Sequence, residues 1–138
     1  MATIRDLPAI TMLLQSVNLV PEGIENCWPH CMVAKHNGDV IGSVALEIYG
    51  NAALLRSLAV AKFWQGKAVS SQLYERIVNY ARKQGVSTLY LMTETIPAYF
   101  EKLGYSVISR DEFPEQLMSS VQFTKVCPKS AIAMRKKI

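Results

Sequence analysis

The chain has 138 residues, a net charge of +4 and a pI near 9.0; half of its residues are apolar and its mean hydropathy is +0.13. That composition excludes a disordered chain. The length supports one domain with a substantial core, because a chain of about 150 residues buries about 70% of its unfolded surface. No apolar run reaches the roughly 20 residues that span a bilayer and nothing resembles a secretory signal, so a single cytoplasmic domain over residues 1–138 is expected. The basic residues are spread along the chain without a basic stripe and interleaved aromatics, which argues against a nucleic-acid binder.

In chain order, Asp6 reads as an N-cap for a helix that begins at Leu7-Pro8 and continues through Ile10, Leu13, Leu14 and Val17. Asn18 to Trp28 reads as a loop or a short second helix. Cys27-Trp28-Pro29-His30-Cys31 has three residues between its cysteines, which is not the spacing of a redox pair. Only His36 and Cys127 are left to recruit for a metal, so structural or incidental reduced thiols and no metal are expected, with a metal or metalloid site as the other reading. Met32 to Lys35 and Val40 to Tyr49 read as strands joined at Asn37-Gly38, a hairpin signal. Tyr49-Gly50-Asn51 turns into a third strand, Leu54 to Val60, making an antiparallel meander.

From Lys67 onward Val69, Leu73, Ile77 and Ala81 recur every four residues, with Tyr74 and Val78 beside them, so a helix with one apolar face follows the strand and is capped by Gly85. Val86 to Met92 reads as a strand. A short helix with Pro97 early ends at Leu103-Gly104, and Tyr105 to Ser109 reads as a strand. Residues 111–120 are compatible with a short helix and Ala131 to Arg135 with a last strand. The fold class is α+β, with a mixed, mostly antiparallel central sheet flanked by helices.

The stretch Leu54 to Val78 organises the rest, because a helix entered from a strand presents free N–H groups and a positive dipole end that can hold a phosphate group. Val60-Ala61 followed by Gln65-Gly66-Lys67-Ala68-Val69-Ser70 resembles the acetyl-CoA signature of the GNAT acetyltransferase superfamily. Gln65 matches its first position, whereas Ala68 and Ser70 stand where glycine, and glycine or alanine, are usual. Ala98-Tyr99-Phe100-Glu101-Lys102-Leu103-Gly104-Tyr105 resembles the family's later motif, in family order and spacing. Such domains have a strand before their first helix, for which Met1 to Arg5 leaves almost no room. That strand is expected to be reduced or absent.

The resemblance implies a cleft where the strands ending at Val60 and near Met92 splay apart. Leu58, Ala59 and Val60 would pair with the pantetheine arm of acetyl-CoA, and Gln65, Gly66, Lys67, Ala68, Val69 and Ser70 would wrap its pyrophosphate. Thr93 and Phe100 complete the implied cofactor set. Phe100 occupies the position of the tyrosine that often serves as general acid, and Tyr99, one residue away on a helix, is expected to point elsewhere. Glu47 is the best strand carboxylate for a general base; a solvated strand residue is the other reading.

Arg56 interrupts an apolar strand and must find an anion: a substrate carboxylate or oxyanion, or an internal salt bridge, with Glu47 as the candidate partner. Ser57 beside it either donates to substrate or is packed. In patches, Glu47 to Val60, Asp6 to Ile10 and Phe123 to Met134 resemble the arsenic-resistance branch of the superfamily, whose relatives acetylate the amino group of glutamate-like oxyanion antibiotics. The expected activity is direct acetyl transfer from the thioester to a small amino-acid-like amine. A catalytically weak acyl-CoA sensor and a protein-lysine acetyltransferase are the alternatives. Family members are commonly homodimers, and an edge exposed by a shortened first strand needs covering.

Overall fold

The computed structural model describes residues 2–17, 28–93, 97–118 and 132–138. Its elements are α1 (Leu7–Ser16), β1 (Cys31–His36), β2 (Asp39–Tyr49), β3 (Ala52–Val60), α2 (Val69–Lys83), β4 (Thr88–Thr93), α3 (Pro97–Lys102), β5 (Ser106–Ile108), α4 (Glu115–Met118) and β6 (Ile132–Lys137). They build a six-stranded sheet in the order β1-β2-β3-β4-β6-β5. Neighbours run antiparallel except β3 and β4, which are parallel because α2 carries the chain across between them. The α+β expectation, with its mostly antiparallel mixed sheet, is met.

Period-two alternation sends each strand's side chains to two layers. On β3, Ala53 and Leu55 enter the core under α2 and α3, with Leu73, Ile77, Ala81, Phe100 and Met134. Ala52 and Leu54 face the other way, against Tyr90, Phe113 and Leu117 of the α4 region. Farther along that second face, Ala45 and Ala59 pack with Cys31 beneath Ile10, Leu13 and Leu14 of α1.

Local chemistry sets the turns. Asn37 and Gly38 both have positive φ, 50° and 85°, as a tight two-residue hairpin requires. At the end of α2, Val86 N–H donates to the Ala81 carbonyl and Gly85 N–H to that of Arg82, with Gly85 at φ 83°. This is the left-handed helix stop read from the sequence. The Trp28–His30 turn is pinned to α2 by a 2.6 Å hydrogen bond between His30 Nδ1 and Tyr80 Oη.

Some elements differ from expectation. β3 starts at Ala52, two residues before Leu54, because its turn closes at Gly50 (φ 64°). Asp6 does not cap α1: its carboxylate accepts from Thr3 N–H at 2.8 Å and pairs with Lys35 at 2.9 Å, while Asp6 itself has helical φ/ψ. The helix instead grows out of the 3-10 turn Ile4–Asp6. Among the described residues no strand precedes α1, and its remnant is a single bond from Ala2 N–H to the Cys31 carbonyl, 2.8 Å. The expectations for residues 18–27, and those for Cys27 and Cys127, lie outside the described residues.

Candidate functional site

The β3–β4 ladder runs from Ala52 opposite Thr88 to Leu54 opposite Tyr90 and stops. β3 continues unpaired on that side to Val60 and β4 to Thr93, so the strands part toward their C-terminal ends. A bulge accentuates the divergence. The β2–β3 register shifts between Ser43 and Ala45, and Ser57 opposite adopts φ 59°. The buried Ser43 hydroxyl donates to the Ser57 carbonyl at 2.8 Å and holds the bulge.

At the mouth lies a cleft of about 220 Å³. Leu58, Ala59 and Val60 form one wall, Trp64, Gln65 and Gly66 the end, and Ser70 of α2 and Tyr99 of α3 the other side. The Gln65 side chain donates to the Val60 carbonyl at 3.0 Å, so its amide fastens the strand to the loop at the cleft. Gly66 and Ala68 both hold left-handed φ, 79° and 67°. These two reversals turn the chain into α2, whose first-turn N–H groups have no intrahelical acceptor and present the positive end of the helix. An anionic diphosphate suits that cradle. Lys67 lies over the Phe63 ring at 5.3 Å from its centroid, beside the same loop.

The predicted residues fall into two groups. Leu58, Ala59, Val60, Gln65, Gly66 and Ser70 line the cleft together. Lys67 and Ala68 shape the loop, Val69 turns to the opposite side of α2, and Thr93 is buried at the end of β4. Phe100 is 6% exposed and packs edge-on against Tyr105, at a ring separation of 5.7 Å, rather than facing the cleft.

Tyr99 corrects the sequence expectation that it points elsewhere. Phe100 is buried in the core, whereas Tyr99, half-buried against the same core, lines the cleft and its hydroxyl lies 3.4 Å from Ser70 Oγ. Tyr99 and Trp64 line the cleft outside the set that the resemblance implies. The spacing carries no signal for Tyr99, because Leu103 stands three residues after Phe100 and four after Tyr99 and so fits either helix phase.

Glu47, Arg56 and Ser57 form a second, polar group. Arg56 Nη1 donates to Glu47 Oε2 at 3.0 Å and its Nε to Ser57 Oγ at 3.2 Å. Tyr49 Oη donates to Glu47 Oε1 at 2.7 Å. The Arg56 side chain is 1% exposed and that of Glu47 13%, so the carboxylate is the member of the pair that reaches solvent. Beneath α3, Tyr74 Oη donates to Tyr105 Oη at 3.1 Å, and burial raises the pKa of both phenols. Among the described residues no group of three His, Cys, Asp or Glu side chains could hold a metal.

The sequence profile of the Acetyltransferase (GNAT) family matches residues 10–105. An uncharacterised N-acetyltransferase of Chlorobaculum tepidum is 30% identical over 107 residues, which cover 77% of this chain and 66% of that protein. An amino-acid acetyltransferase of Neisseria meningitidis is 28% identical over 96 residues, covering 68% of this chain but 22% of the enzyme. The chain thus spans just under two thirds of the first relative and about a fifth of the second.

In fold, N-acetylglutamate synthase of Neisseria gonorrhoeae, solved with coenzyme A and N-acetyl-glutamate, superposes with a TM-score of 0.84 at 21% identity, over 99% of this chain and 34% of that one. Rv2747 of Mycobacterium tuberculosis, solved with CoA, does so with a TM-score of 0.81 at 17% identity, over 99% and 96%. With its splayed strands, its loop-to-helix cradle and a profile match across most of its length, the chain belongs to the GNAT acetyltransferase family, a family of acyltransferases.

Proposed function

We propose that the protein is a cytoplasmic acetyl-CoA-dependent N-acetyltransferase that acts on the amino group of a small, amino-acid-like molecule. The observation that carries this reading is the cleft at the end of β3, where the loop Gln65–Ser70 and the free strand edge Leu58–Val60 meet Tyr99. Bound acetyl-CoA supplies an activated thioester. Leu58 to Val60 offer main-chain groups to the pantetheine arm, and an N–H aimed at the thioester oxygen is worth roughly 3 kcal/mol in other enzymes. The N-terminus of α2 and Lys67 receive the pyrophosphate.

In the transfer, the neutral amine forms a bond to the acetyl carbon, the C–S bond breaks, the sulfur gains a proton and the amine loses one. We assign the first of these protons to Tyr99 Oη, the hydroxyl at the cleft rim, and the second to Glu47, directly or through water. Arg56 holds Glu47 in place and lends positive charge to an acceptor carboxylate or oxyanion approaching the pair. The patchwise resemblance to arsenic-resistance acetyltransferases, and the amino-acid acetyltransferases among the relatives, support a glutamate-like acceptor or a toxic oxyanion analogue of one.

Calorimetric titration with acetyl-CoA, with desulfo-CoA and ATP as controls, tests the cofactor site. Binding that requires the pantetheine arm, followed by thiol release when glutamate-like amines are added, is the expected result. An absence of binding at millimolar concentration would remove the assignment. The engagement of both Glu47 oxygens favours one second reading, an acyl-CoA sensor with little turnover. It would be distinguished by tight binding without thiol release for any amine tried.

A further inference from the structure

A groove of about 750 Å³ lies between α2 and the free edge of the sheet and shares no lining residue with the cleft. Met32 and Ala34 of β1, Ile41 of β2 and Leu73 of α2 give it an apolar floor, and Arg76 and Lys83 stand along the helix wall. β1 is the first strand in sheet order and is paired on one side only. On its open side, the one main-chain bond among the described residues is that from Ala2 N–H to the Cys31 carbonyl.

That bond fixes the direction of the edge. Main-chain groups of alternate residues face the same side of a strand, so the N–H and C=O of Val33 point outward with the Cys31 carbonyl. Val33 also lines the groove. After Ala2 the chain turns into Ile4–Asp6 and leaves the pairing unfinished. The groove therefore has the parts of a strand-addition site: a free edge, a helix opposite it and an apolar floor between them.

Charge selects the occupant. Arg76 and Lys83 are exposed and make no ion pair among the described residues, and no carboxylate lines the groove among them. Lys35, also on β1, is already held by Asp6 at 2.9 Å. A second copy adding at this edge would bring a second Arg76 and Lys83 to the basic groove instead of carboxylates, and like charges set against each other cost several kcal/mol. We infer that the groove docks an extended acidic peptide segment of another protein, which adds a strand to β1 and carries on its α2-facing side both carboxylates, set on Arg76 and Lys83, and aliphatic side chains, set on the floor.

The test titrates the full chain with a short Glu-Ser-Val-Ser repeat peptide, whose glutamates and valines share one face of a strand. Controls are its counterpart with lysine in place of glutamate and a version N-methylated at alternate peptide bonds. The glutamate peptide is expected to bind, to shift the Val33 amide resonance, and to weaken with added salt. The N-methylated and lysine peptides are expected to bind poorly. Arg76→Glu with Lys83→Glu is expected to weaken the glutamate peptide by about tenfold or more without lowering the melting temperature. Should the double variant fold badly, Arg76→Gln alone is expected to give a smaller loss in the same direction.

Equal binding of the two charge types, indifference to N-methylation or to the charge reversals, or no binding at millimolar concentration would overturn the inference. A dimer by sedimentation that Val33→Pro dissociates would assign the edge to a second copy, and would overturn it too.

Discussion

Tyr99 and Phe100 are neighbours on α3, yet one faces the cleft and the other the core. The motif around Glu101-Lys102-Leu103-Gly104 located the helix from sequence, but the side chain at the rim depends on helix phase, which the burial of Phe100 decides. Tyr99→Phe is expected to lower kcat by about a hundredfold or more, the usual scale of a general acid, while leaving the Kd for acetyl-CoA unchanged. Single-turnover kinetics beside calorimetry would separate the two. Ala68 was legible as a departure from the glycine-rich pattern, but its conformation was not. At φ 67° its Cβ is strained, so Ala68→Gly is expected to stabilise the fold by about 1 kcal/mol in urea denaturation.

At the scale of elements, the apolar runs and turn residues announced the strands and helices of the described residues, because period two and period 3.6 leave different traces. The boundaries followed less well. Asp6 had the chemistry of a cap, but Thr3 and Lys35 offered its carboxylate better partners than the first turn of α1. Arg56 was legible as a residue in need of an anion, and Glu47, diagonally across from it on β2, supplies one. Arg56→Ala is expected to cost about 3–5 kcal/mol in denaturant unfolding, because it strands a carboxylate in a mostly buried site. Arg56→Met combined with Glu47→Leu is expected to recover most of that loss, since two apolar side chains leave no charge uncompensated.

Across the whole molecule, two groups on the α1 side of the sheet give stability opposite dependences on pH. On the α1 face the thiol of Cys31 is fully buried, and burial, followed by the nearby Asp6 charge, pushes its pKa up to about 11 from the ordinary 9.0. Above pH 9 the unfolded chain releases a proton that the folded chain keeps. Stability attributable to this group is therefore complete below pH 9 and declines toward pH 11, by about 2–3 kcal/mol in all. Comparing the melting of the protein and of Cys31→Ala across that interval isolates the slope.

At the acid end the sign is reversed. Thr3 N–H, then Lys35, hold the Asp6 carboxyl below its usual range. Its contribution is present above the ordinary carboxylate pKa and is lost as the pH falls through the lowered value; Asp6→Asn is expected to flatten acid unfolding. In the sequence Cys31 reads only as a structural or incidental thiol, because its burial and the charge beside it come from α1 and Asp6 folding back over β1.

The ladder between β3 and β4 acts as a ruler. It ends at Leu54 opposite Tyr90, and each further pair would carry the point of divergence about 3.3 Å toward Val60. A single added rung would thus shorten the jaw by about that length. The number of rungs fixes how deep a linear ligand can reach before the sheet closes on it. Depth in this fold is a matter of counting, and a shift of one residue on either strand would be felt as a change in the length of ligand admitted.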